Sequence, residues 1–103
     1  MGKIKGWKKI IDDEFYNTGG GFDYYLTFYR NENNPLRQIE IWVEADYKGK
    51  RNNNIGVNIG TRYENNTDVF DPIQGNYIHT TKVNSLEKAK KIAHKYMRRN
   101  PNG

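Results

Sequence analysis

The chain is predicted to be a small α+β domain, an antiparallel meander of four or five strands packed against one C-terminal α-helix. Three observations predict it. Residues 38–47, Gln-Ile-Glu-Ile-Trp-Val-Glu-Ala-Asp-Tyr, alternate apolar and polar side chains with the period of two that a half-buried strand requires. The last segment has a helical repeat, with Leu86, Ala89, Ile92, Ala93, Tyr96 and Met97 on one stripe. Clusters of Gly, Asn and Pro separate the periodic stretches at hairpin-like intervals. The chain has 103 residues, of which 35% are hydrophobic, and no composition break, so 1–103 reads as one domain with a single modest core.

Taken in order, Trp7 to Tyr16 reads as a strand of poor alternation, suited to an edge. Asn17 to Gly21 makes a glycine-rich reversal. In Phe22 to Arg30, the residues Phe22, Tyr24, Leu26 and Phe28 are expected to face the core. Asp23, Tyr25, Thr27 and Tyr29 are then expected outside. Asn31 to Pro35 is a turn. Leu36 to Lys48 is the central strand, with Ile39, Ile41, Val43, Ala45 and Tyr47 inward. Gly49 to Asn54 closes the next hairpin. Ile55 to Glu64 is the fourth strand, with Ile55, Val57, Ile59 and Tyr63 inward and Gly56, Asn58, Gly60 and Arg62 outward. Two glycines on one outer face indicate a bulge or a covering side chain.

Asn65 to Asn76 is irregular and contains the formal glycosylation sequon Asn65-Asn66-Thr67. Tyr77 to Val83 reads as a short fifth strand, with Ile78 and Thr80 opposed to Tyr77, His79 and Thr81. Asn84 with Glu87 resembles a capping box, Ser85 is an alternative cap, and Asn100-Pro101 ends the helix.

The charge is unevenly placed. The net +5 lies in residues 84–100, where Lys88, Lys90, Lys91, Lys95, Arg98 and Arg99 stand against Glu87 alone. A local cluster of Lys3, Lys5, Lys8 and Lys9 sits near the N-terminus. The absence of cysteine excludes disulfides, thiolate metal sites and cysteine nucleophiles. No apolar run reaches the roughly 18 residues of a membrane span, and no signal-peptide pattern opens the chain. The expected compartment is the cytoplasm, with no membrane partner.

The ending, Val83-Asn84-Ser85-Leu86-Glu87-Lys88-Ala89 through Tyr96-Met97-Arg98-Arg99-Asn100-Pro101, resembles the close of small archaeal β-sheet proteins with a C-terminal helix. The order of strands followed by a packed helix is similar in topology to the AP2/integrase-type DNA-binding domain. That resemblance implies a sheet face that reads the DNA major groove, and a fold alone does not fix a function.

Catalysis has little to stand on, so the chain is expected not to be an enzyme. Ser85 is the sole serine and is taken by the helix start. His79 and His94 have no cysteine to complete a metal site, and His94 reads as a solvated helix residue. His79 beside Thr80 and Thr81 has the chemistry of a general base or of an ordinary strand histidine. Asp12, Asp13 and Glu14 lack the spaced ligands of a calcium loop, and Gly19-Gly20-Gly21 precedes a strand rather than a helix. No cofactor or metal is expected.

Binding is the better-supported class. Lys88, Lys91, Lys95, Arg98 and Arg99 share one side of the helix and could track phosphates, DNA or RNA, in a salt-dependent way. On the outer sheet face, Tyr25, Tyr29 and Trp42, with Arg62 and Asn58 beside them, could stack on bases. Glu40 and Glu44 flank Trp42 and would repel phosphate. The alternative is a protein-interaction or homo-oligomerising module that uses the aromatic face around Trp42.

Overall fold

A computed structural model describes residues 4–17, 23–63, 72–73 and 76–103. Among these residues the chain forms β1 (Trp7–Asn17), β2 (Asp23–Asn31), β3 (Arg37–Ala45), β4 (Arg51–Thr61), β5 (Tyr77–Val83) and α1 (Leu86–Arg99). The strands pair antiparallel in the order β1-β2-β3-β4-β5, a meander, and α1 lies across β3 and β4. The predicted α+β class and the edge position of β1 are both observed. The Gly-rich reversal after Asn17, Phe22 and the 65–67 sequon lie outside the described residues.

β3 is central, as its alternation requires. Ile39, Ile41 and Val43 are buried under α1, with Ile55, Val57 and Ile59 of β4 beside them. Ala89, Ala93 and Met97 bring the helix down onto that layer, and the alanines allow close approach. Tyr47 and Tyr63, expected inward, are exposed because each falls beyond its strand. Tyr47 sits in a tight turn where the Asp46 carboxylate accepts the Lys48 and Lys50 amides and Gly49 takes φ +85°.

The orientation of β2 is the reverse of the expected one. Tyr25 lies opposite Val43, Thr27 opposite Ile41 and Tyr29 opposite Ile39, so these three share the helix side. Tyr24, Leu26 and Phe28 lie opposite Glu44, Trp42 and Glu40, on the other side. That side has a small core of its own. Phe28 is 1% exposed, Ile11 of β1 pairs with it, and Ile73 covers part of the same face. β2 is therefore at least partly buried on both faces, and either set of its side chains has apolar company.

The ends are tied together. The Trp7 indole Nε1 donates to Asn100 O at 2.9 Å, and Asn31 and Asn33 side chains donate to Pro101 O. Ser85, not Asn84, caps the helix, accepting the Lys88 amide on Oγ at 3.1 Å.

Candidate functional site

The side of α1 opposite its buried stripe carries Lys88, Lys91, Lys95, Arg98 and Arg99, all exposed, as the helical spacing predicts. Lys91 lies 3.9 Å from Glu87, an exposed i,i+4 pair. Among the described residues the other four form no ion pair.

His94 is not the solvated residue expected. Its ring is half-buried and meets the edge of Tyr29 at 6.3 Å between centroids, with an interplanar angle of 82°. Burial pushes its pKa below the usual histidine value, and the positive charges of Arg98, Lys9 and Lys90 push it further. Lys9 belongs to β1, paired opposite Tyr29. Folding thus brings Lys9 of β1 to the edge of the helix cluster, a junction between residues 9 and 90–98 invisible in the linear charge pattern. On the other flank of α1, Lys95 and Arg99 line a groove of about 500 Å³ against β5, with Tyr96, Ile78 and His79 in its walls. His79 contacts the Thr81 hydroxyl on this same side of the sheet.

The predicted aromatic surface does not form as one face. Tyr29 is buried on the helix side. Tyr25 is half-buried there, its hydroxyl donating to Gly49 O at 2.8 Å and its ring covered by the Arg51 guanidinium at 3.8 Å. Arg62 is buried beyond the end of β4, where its Nη2 donates to Pro35 O at 2.8 Å and its amide donates to Leu36 O. It fastens the β2–β3 turn and leaves no cationic head beside Trp42. Of the five residues predicted on the sheet face, Trp42 and Asn58 face the outer side in partly open positions.

Trp42 stands in a cleft of about 240 Å³ that sequence reasoning did not find. Its indole lies over Gly56, the covering side chain that the strand glycines indicated, and Ile73 and Asn76 similarly cover Gly60. Tyr24 meets the indole edge-on at 5.9 Å and 84°. Tyr77 comes from β5, where a register shift between Ile59 and Gly60 turns it to this side, away from His79. Its hydroxyl donates to Ile73 O at 2.8 Å. At the floor is Glu40, 4% exposed, accepting on Oε2 from Gln38 Nε2 and the Ile73 amide, both at 2.7 Å, and on Oε1 from Asn58 Nδ2 at 3.4 Å. Burial raises the Glu40 pKa above the ordinary carboxylate value, and these hydrogen bonds pull it partly back.

The alternation of Glu40 with Ile39 and Ile41 predicts a solvent-facing acid. Its burial depends on a backbone amide 33 residues away, which no local pattern announces. Among the described residues no group of three His, Asp or Glu side chains is placed to hold a metal ion, and no helix is long and apolar enough to cross a membrane. Comparison with known proteins found no family model, no curated protein and no solved structure that matches this chain.

Proposed function

We propose that this chain is a non-enzymatic binding module for nucleic acid, with the outer side of α1 as its phosphate-contacting surface. One observation carries the reading. The five cations Lys88, Lys91, Lys95, Arg98 and Arg99 stand exposed on one side of a rigidly packed helix, and four of them have no ion pair among the described residues. Lys9 and Lys90 extend the same positive field around His94. Such a field attracts a polyanion and releases its condensed counterions on contact. Tyr25, Tyr29 and Arg62 are engaged in the fold and take no part in this reading.

The test is an amide NMR titration with single- and double-stranded oligonucleotides at low and near-physiological salt. Shifts should concentrate on 88–99 and on Lys9, and affinity should fall steeply as salt rises. Reversing Lys91 and Lys95 to glutamate should reduce the log–log salt slope by about 2 and weaken both ligands. Absence of shifts at low salt would remove the reading. A concentration-dependent mass, abolished by Trp42→Ala and indifferent to salt, would favour a protein-interaction module instead.

A further inference from the structure

The cleft on the opposite side of the sheet from α1 has a chemistry of its own. Its floor is a desolvated carboxylate whose direct partners among the described residues, Gln38, Asn58 and the Ile73 amide, are all neutral donors. The Arg30 charge reaches Glu40 through space, while the Arg30 Nε is engaged by Gln38 Oε1 at 2.7 Å. A carboxylate taken out of water without a contacting cation is costly to keep ionised. Its walls are aromatic. Trp42 and Tyr24 stand almost perpendicular, and Tyr77 closes a third side, where burial first and then the Glu40 charge raise its pKa. Aromatic faces attract cations through the ring quadrupole, most strongly where water is excluded.

We propose that this cleft binds an organic cation of the trimethylammonium class, seated against Trp42, Tyr24 and Tyr77 with Glu40 as its counter-ion. Hydrogen-bond accounting narrows the class. Glu40 already accepts three hydrogen bonds, so little acceptor capacity is left for the several N–H donors of a primary ammonium or a guanidinium. A quaternary ammonium brings charge without donors and leaves none unsatisfied. An anion would meet the Glu40 charge, so phosphate is not the ligand of this face. The site is separated from the helix cations by the sheet itself, and it stands or falls independently of nucleic-acid binding.

The experiment is a titration of the intact chain with choline and, separately, with a short peptide carrying one trimethyllysine, followed by the indole N–H signals of Trp42 and Trp7. Either ligand should shift Trp42 saturably and leave Trp7 in place. Binding of the peptide alone assigns a protein-borne cation, and binding of choline assigns the free head group. The uncharged isostere 3,3-dimethyl-1-butanol and the Glu40→Gln variant should each bind about tenfold more weakly or not at all. Should Glu40→Gln fail to fold, Tyr77→Leu tests the aromatic wall, since Tyr77 is 48% exposed, and should weaken binding severalfold. The proposal is overturned if neither cation shifts Trp42 at tens of millimolar or if the isostere binds equally well.

Discussion

Trp42 and Gly56 face each other across β3 and β4, and the indole occupies the space that a side chain on Gly56 would need. A Cβ there would stand 2.6 Å from the indole Nε1 and closer still to Cε2 and Cζ2. Gly56 has no positive φ, so its role is room rather than backbone freedom. In an ordinary strand, alanine in place of glycine gains about 0.5–1 kcal/mol. Here Gly56→Ala should instead cost about 1–3 kcal/mol, because the ring has to lift off the sheet. Denaturant unfolding gives the sign, and a changed Trp42 environment in fluorescence should accompany it. A stabilised variant would refute the contact.

That pair also marks what local pattern can and cannot convey. The alternation at Ile39, Ile41 and Val43 and the stripe at Ala89, Ala93 and Met97 are properties of single elements, and both were legible. β2 was not. Tyr24, Leu26 and Phe28 on one side and Tyr25, Thr27 and Tyr29 on the other are equally fit for burial, and each side is at least partly covered. Periodicity says that two faces exist, not which one meets the helix. The helix cations were legible because a basic polar face is a one-element property. The cleft was not, since Glu40, Trp42, Tyr24 and Tyr77 come from three strands and Ile73 from between β4 and β5.

Phe28 tests the second core. It is 1% exposed on the face away from α1, where a single-layer reading of the fold would leave it solvated. Phe28→Ala should cost about 3–5 kcal/mol, the range for truncating a buried phenylalanine. Tyr16→Ala, on an exposed β1 residue, should cost less than about 1 kcal/mol. Equal small losses in chemical denaturation would contradict burial on both faces.

His94 gives the fold a pH dependence whose sign is fixed by its surroundings. Its folded pKa lies below 6.5 through burial first, then Arg98, Lys9 and Lys90, while the ring itself rests on Tyr29. The unfolded chain therefore binds the proton more readily. The contribution of His94 to stability is present above about 6.5 and is lost as pH falls through the lower folded value. The histidine Cε1 resonance should titrate below 6.5, and His94→Asn should flatten the stability profile in that window. Oligonucleotide phosphates placed at Lys9, Lys90 and Arg98 should move the midpoint upward. An unmoved midpoint in a saturated complex would place the nucleic acid elsewhere.

Asp13 sits at φ +50°, in the irregular part of β1 where the register with β2 shifts between Ile11 and Glu14. Two effects oppose each other there. The left-handed backbone costs a non-glycine residue about 1–2 kcal/mol, which Asp13→Gly would relieve. Glycine also loses the paired bonds from Arg51 Nη1 and Nη2 to the carboxylate, at 2.9 and 2.6 Å. Both side chains of that pair are about 40% exposed, so solvent screening limits its worth to about 1 kcal/mol or less. The Asp13 amide keeps its bond to Thr27 Oγ1 in either case. Asp13→Gly should therefore leave stability within about 1 kcal/mol of the parent. Arg51→Ala relieves no strain, and it removes both the ion pair and the guanidinium stacked on Tyr25. It should be the more damaging of the two, by about 1–2 kcal/mol in the same denaturant assay. The reverse order would mean that the carboxylate does more than meet Arg51.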